Sequence, residues 1–185
     1  MPEQHSPRRP TAQLDARYSS ALRPRPGAAD VTATDWADAR RQLEAAEIFW
    51  ASTVRPDGRL HVTPVIAAWH GGSLYFSTGP EEQKARNLAH DGHCALTTGR
   101  NDLGEGLDIV VEGTAEQVSD PAELERVITA HETKYGEHII SPEGTFHGIG
   151  DSFRTGSAIV FALAPVTAYG FGRKDGVYTH TRWTF

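Results

Sequence analysis

The 185-residue chain is 38% hydrophobic and 23% charged, the profile of an ordinary globular protein, and its length suits one domain with a short appendage. Its lone Cys94 excludes a disulfide framework within the chain and a thiolate metal cluster, and no apolar run approaches the ~18 residues of a membrane span. The formal charge of −6 is uneven: residues 1–30 carry five Arg against Glu3, Asp15 and Asp30, so the body is acidic and nucleic acid is not expected as a partner.

Residues 1–30 are rich in Pro, Arg, Ser and Ala without a sustained period, which predicts a mobile arm or a strap over a partner subunit. Because this segment also lacks the apolar stretch of a secretory signal, a cytoplasmic location is expected. From Thr34 to about Ala46 the pattern is helical, with Trp36, Ala39, Leu43 and Ala46 on one face and Thr34 as the expected N-cap. Strands are predicted at Ile48–Val54 and Leu60–Trp69, joined by the turn Arg55-Pro56-Asp57-Gly58. Pro64 cannot donate to a ladder, so it marks an edge, a bulge or a place where the backbone opens.

His70-Gly71-Gly72 turns the chain into a strand at Leu74–Thr78. A helix is expected from Pro80, with its exit at Gly92. Strands follow at about His93–Thr98 and Leu107–Val118, and Cys94 in the first of them reads as a small buried hydrophobe. A second helix spans Pro121–Tyr135, with Asp120 as its cap, Glu123 three residues on and Gly136 as its stop. Residues 137–156 read as Gly-rich and irregular; strands at Ala158–Ala164, Val166–Phe171 and Val177–Trp183 close the chain. No internal repeat is present. Many short antiparallel strands with few helices and no βαβ alternation predict a closed or split β-barrel.

The segment LYFSTGPEEQKARNL, Leu74 to Leu88, carries the clearest chemistry. Ser77 and Thr78 hydroxyls, Gly79, free helix N-terminal amides and Lys84 one turn in are what a phosphate group needs. The same residues also read as a solvated helix with Glu81–Lys84 and Glu82–Arg86 pairs, and two carboxylates in a first turn would repel an anion. His61-Val62-Thr63-Pro64-Val65 is either an ordinary edge strand or a run of main-chain groups suited to a planar ring. Arg182, Trp183 and Phe185 either pack a final strand on the barrel or cover a ligand, and Trp69 either stacks on a ring or caps a strand.

Together the hairpin and the strand–turn–helix resemble the FMN-binding split-barrel family of pyridoxamine 5'-phosphate oxidase-like proteins. The likeness runs from about Ile48 through Tyr135, includes the VVEGTAEQV strand, and resumes from Ala162 to Phe185. It implies a mainly β split barrel with flanking helices, forming a homodimer that binds FMN or the deazaflavin coenzyme F-420. By the resemblance, Val62, Thr63, Pro64 and Val65 would line the ring. Ser77, Thr78, Lys84 and Asn87 would lie at the phosphate, and Arg182 and Trp183 would reach a cofactor at the subunit interface. Where the family often shows Ser-Arg-Lys, this chain has Glu82-Gln83-Lys84. The end, Thr181 to Phe185, is similar to the actinobacterial branch that uses FMN or F-420, so vitamin B6 oxidation is not expected. The implied activity is hydride transfer between the cofactor and a small organic substrate. The alternative is a protein that binds or stores a flavin, a deazaflavin or haem without turnover.

Other patterns carry less. His131-Glu132 and His138 miss the HExxH spacing of a zinc helix, Gly104-Glu105-Gly106 is no dinucleotide fingerprint, and no Gly-x-Ser-x-Gly elbow is present.

Overall fold

A computed structural model describes residues 9–15, 19, 32–100 and 102–185. The strands are β1 (Thr11–Leu14), β2 (Phe49–Val54), β3 (Leu60–Val65), β4 (Ala67–His70), β5 (Ser73–Thr78), β6 (His93–Thr97), β7 (Gly106–Gln117), β8 (Ile159–Lys174) and β9 (Val177–Thr184). The helices are α1 (Trp36–Ala45), α2 (Gln83–His90), α3 (Pro121–Tyr135), α4 (Glu137–Ile140) and α5 (Ile149–Thr155). Every strand pair is antiparallel.

The barrel closes because one stretch of chain changes partners. Leu60–Val65 pairs with β2, the chain breaks at Ile66, and Ala67–His70 pairs instead with β5. The ring then runs β5–β8–β7–β6–β2 and returns to β3. A single strand over Leu60–Trp69 was the sequence expectation. It divides because α3 takes over the backbone at the break: Ala67 N–H donates to the Tyr135 hydroxyl (2.9 Å), and the Lys134 ammonium donates to the Ala67 carbonyl (2.7 Å). Pro64 lies two residues before the break, opposite Trp50, on a strand paired on one side only. The expectation of an edge is met.

The split arises in β8. Its first half pairs with β5 through Leu163 and its second half with β9 from Thr167, while β7 runs along its other edge. Two strands interrupted at Pro165 were expected, yet the strand is continuous. Pro165 falls between the two edge partners, where its missing N–H costs nothing, and Val166 forms a bulge between Glu112 and Gly113 of β7. At that bulge the backbones close in: a Cβ on Gly113 would come within 2.2 Å of the Ala164 carbonyl oxygen. Gly113→Ala is therefore expected to destabilise the fold by about 1–3 kcal/mol, read as a lower denaturation midpoint. A midpoint unchanged from wild type would show that the two strands can part without loss.

Helix α1 crosses one end of the barrel. Its N-cap is Asp35, which accepts from Ala37 N–H, one residue later than the expected Thr34. Asp35 already has extended backbone, and the Thr34 carbonyl is engaged by the Trp183 indole N–H at 3.0 Å. Ala39 and Leu43 face the core, and Trp36 makes edge-on contacts with Trp69, Trp183 and Phe185. Trp69 thus acts as a cap on the barrel. Cys94 is buried in the same core, and burial pushes its thiol up to about 12, as befits a packing residue.

Helix α3 has the expected bounds and caps: Asp120 accepts from Ala122 and Glu123 N–H, and Gly136 ends it. Residues 137–156, expected to be irregular, contain α4 and α5. The glycines Gly148 and Gly156 cap α5 at either end, and Phe153 on it packs against Val127, Ile128 and His131. Within the segment read as an arm, residues 11–14 form β1 along β9 of the same chain. Apart from residues 9, 10, 15 and 19, the rest of residues 1–30 lies outside the described residues. Among the described residues no helix is long and apolar enough to cross a membrane.

Candidate functional site

The strand-to-helix junction differs from the sequence expectation in one consequential detail. Residues 80–82 form a turn, in which Glu82 N–H donates to the Gly79 carbonyl (3.1 Å), and α2 begins only at Gln83. Glu82 is therefore the N-cap residue rather than a member of the first turn, and Lys84 is the second helical residue. The turn returns the Glu82 side chain toward the end of β5. Its Oε1 accepts from Gly79 N–H at 3.0 Å, and its Oε2 is ion-paired with Lys84 Nζ. Lys84, Gly79 and the Thr78 hydroxyl hold the Glu82 carboxyl below the usual carboxylate range, with Lys84 the largest cause.

Lys84 is buried, whereas about half of the Glu82 side chain is exposed. The cation is thus buried while the anion it pairs with reaches solvent. Thr78 is buried and Ser77 half-buried at the end of β5. Helix α2 is pinned from beneath by a chain of side-chain bonds. Gln83 donates to Asn87 (2.8 Å), Asn87 donates to Thr53 of β2 (2.8 Å), and the Thr53 hydroxyl reaches the His61 carbonyl (3.4 Å). Asn87 is fully buried and has both ends of its amide engaged, so it positions the helix instead of facing a ligand.

Alternation along β3 divides the four residues expected to line a ring. Val62 and Pro64 stand on the exposed face, whereas Thr63 and Val65 turn inward with His61. Among the described residues the Thr63 hydroxyl and His61 Nδ1 are buried atoms without a hydrogen-bond partner. His61 lies within electrostatic reach of Lys84 and Glu82; burial first, then Arg55 and Lys84, lowers its pKa, so its imidazole is neutral at pH 7. Sequence reading did not single out His61 as a site residue. The signal was available in period-2 alternation, which places His61 on the face of Thr63 and Val65.

The outward face of the β2–β3 hairpin is apolar and open: Leu60 is 74% exposed, Val62 51% and Trp50 46%, with Pro64 opposite Trp50. Of the closing pair, Arg182 is exposed on β9 between Tyr169 and Gln13. Trp183 is instead wholly buried in the barrel core, against Trp36. The junction therefore brings Thr78, Gly79 and Lys84 together around Glu82, with His61 in electrostatic reach, and leaves Trp183 and Asn87 as structural residues. A separate groove of about 770 Å³ lies between α1, β4 and α3, lined by Glu44, Trp69, His70, Arg126 and Lys134 among others, and by none of the expected site residues.

A phosphate group fits the donor set at the junction. Gly79 N–H and a buried ammonium already converge on one anionic group, the Glu82 carboxylate, with the Thr78 hydroxyl beside them donating to the Gly79 carbonyl at 3.3 Å. On β3, His61, whose Nδ1 is unpartnered among the described residues, lies in electrostatic reach of Lys84, and the unpartnered Thr63 hydroxyl is on the same face of that strand.

Comparison with known proteins agrees with this architecture. A conserved protein from Mycobacterium tuberculosis superposes with a TM-score of 0.61 at 19% identity, over 84% of this chain and 88% of that one. A heme binding protein from Mycobacterium smegmatis gives a TM-score of 0.60 at 17% identity, over 80% of this chain and 59% of its own. A protein described as an F-420 reductase gives a TM-score of 0.50 at 21% identity, over 70% of this chain and 94% of that one. These likenesses establish the fold. No curated protein matches the chain by sequence. Residues 36–169, well over half of the chain and spanning the barrel from α1 into β8, match the profile described as Pyridoxamine 5'-phosphate oxidase, and the chain belongs to that family.

Proposed function

We propose that this protein is an oxidoreductase that moves a hydride between FMN or coenzyme F-420 and a small organic substrate. The observation that carries the reading is Lys84: a buried ammonium aimed, with Gly79 N–H, at a single anion position on the His61–Thr63 side of β3. The fold shared with an F-420 reductase supports it. When bound, the cofactor supplies the hydride chemistry; the chain supplies placement and exclusion of water. Lys84, Gly79 and Thr78 hold the phosphate, Thr63 and His61 offer polar atoms to the polar edge of the ring system, and neutral His61 adds no charge there.

One chain presents this site as an open face rather than a pocket. Trp50, Leu60, Val62 and Pro64 form an exposed apolar surface and Arg182 is exposed as well, which supports a second copy as its cover in this reading. The proposed working form is therefore a homodimer with its ligand at the interface. Replacing Lys84 with Ala is expected to weaken FMN or F-420 binding by about tenfold or more, measured by titration of the full chain. Unchanged binding would remove Lys84 from the site.

A carrier without turnover is the second reading. The unpartnered His61 nitrogen favours it, since a neutral imidazole is a haem ligand type, and a heme binding protein shares the fold. Turnover of bound, reduced cofactor with any acceptor would decide against the carrier.

A further inference from the structure

We infer that Glu82 selects the cofactor: its carboxylate occupies the anion position of the Gly79–Lys84 cradle and discriminates against a dianionic phosphate. The inference rests on the reading of that cradle as the place of the cofactor's phosphate.

The geometry makes Glu82 a resident competitor. Its two oxygens take the two strongest donors of the cradle, Gly79 N–H and Lys84 Nζ. Its own backbone N–H is tied to the Gly79 carbonyl, so the turn keeps the carboxylate aimed inward. Lys84 is buried and cannot turn to solvent, whereas half of the Glu82 side chain is already exposed. An arriving phosphate must therefore displace Glu82 outward or share Lys84 with it. The nearby Glu81 pairs with Arg86 at 3.6 Å, with both side chains largely exposed, so Arg86 is not held in the cradle as a second cation.

Either route costs more as the charge on the phosphate that enters the cradle rises, because like charges around one ammonium repel. A terminal phosphomonoester such as that of FMN carries about −1.5 to −2 at pH 7. A phosphodiester, as in the side chain of F-420, carries a single charge, and riboflavin has no phosphate. Glu82 thus tilts the site away from FMN and toward a deazaflavin held through a phosphodiester.

The test is titration of the full chain with FMN, F-420 and riboflavin, for wild type, Glu82→Gln and Glu82→Ser. Serine retains a favourable N-cap for α2, so one variant keeps the helix start intact if the other does not. Both substitutions are expected to tighten FMN by about tenfold or more and F-420 by less, and to leave riboflavin within about twofold. FMN that binds wild type and is unmoved or weakened in both variants overturns the selection while the cofactor reading stands. Riboflavin gaining as much as FMN also overturns it, since the effect would not act on the phosphate. Failure of FMN and F-420 to bind any of the three proteins overturns the cofactor reading, and the selection with it.

Discussion

Trp183→Ala is expected to destabilise the protein by about 3–5 kcal/mol, a large share of the stability of a domain this size. The indole is fully buried, packs edge-on against Trp36 with ring centroids 5.4 Å apart, and donates its N–H to the Thr34 carbonyl. It also lies against Gly170, where a Cβ would meet the ring at 2.4 Å, so the strands have closed around this side chain and cannot collapse further into its place. Trp183→Phe keeps much of the packing and loses the hydrogen bond, and its expected cost is about 1 kcal/mol beyond the difference in ring size. Denaturant unfolding of the two variants separates these contributions. A wild-type midpoint for Trp183→Ala would mean that the tryptophan is not in the core.

The second large effect is an acid loss of stability centred on His131. This side chain is fully buried on α3 between Tyr135 and Phe153, with Nδ1 at 2.9 Å from the Val127 carbonyl and Nε2 without a partner among the described residues. A carbonyl accepts only, so the neutral tautomer carries its proton on Nδ1. A second proton would place an unbonded N–H and a charge in an apolar pocket, and burial pushes the pKa down to about 4. In the unfolded chain the imidazole titrates near its ordinary value of 6.5. Between pH 6.5 and 4 the unfolded state therefore binds more protons than the folded one. The stability this group contributes is intact above pH 6.5 and is lost as pH falls toward 4, by about 3 kcal/mol at most. His61, whose pKa is also lowered, acts in the same direction. His131→Leu is expected to flatten most of the slope in the urea midpoint between pH 6.5 and 5, where few carboxylates titrate. An equally steep slope in the variant would assign it to other groups.

Where local chemistry decides the structure, the sequence was legible. Asp120, Pro121 and Gly136 mark both ends of α3, and Arg55-Pro56-Asp57-Gly58 makes its hairpin with Gly58 at φ 82°. Departures occur where distant partners decide. Pro165 reads as a strand end, but β8 continues because Pro165 falls in the interval between β5 and β9. Leu60–Trp69 reads as one strand, but Tyr135 and Lys134, nearly 70 residues away in sequence, take the backbone at Ala67. The site divides similarly. The Thr78–Gly79–Lys84 neighbourhood followed from residue types and spacing. That Glu82 fills it did not, because the three-residue delay of the helix start, from Pro80 to Gln83, turns a carboxylate expected on a helix face back onto Gly79. Trp183, an aromatic beside an arginine at the chain end, looked equally suited to a core or to a ligand. Alternation along β9 puts Arg182 outside and Trp183 within.

The central claim, that the Gly79–Lys84 cradle and β3 hold a flavin-type cofactor, is tested most directly by the thermal midpoint of the full chain with FMN, with F-420 and with neither. Ligand at about 100 times its dissociation constant stabilises the folded state by about 2.7 kcal/mol, which raises the midpoint of a domain this size by about 5–10 °C. The expected result is a rise with at least one of the two, lost or much reduced in Lys84→Ala. No rise with either cofactor would contradict the claim and leave the barrel without a redox role.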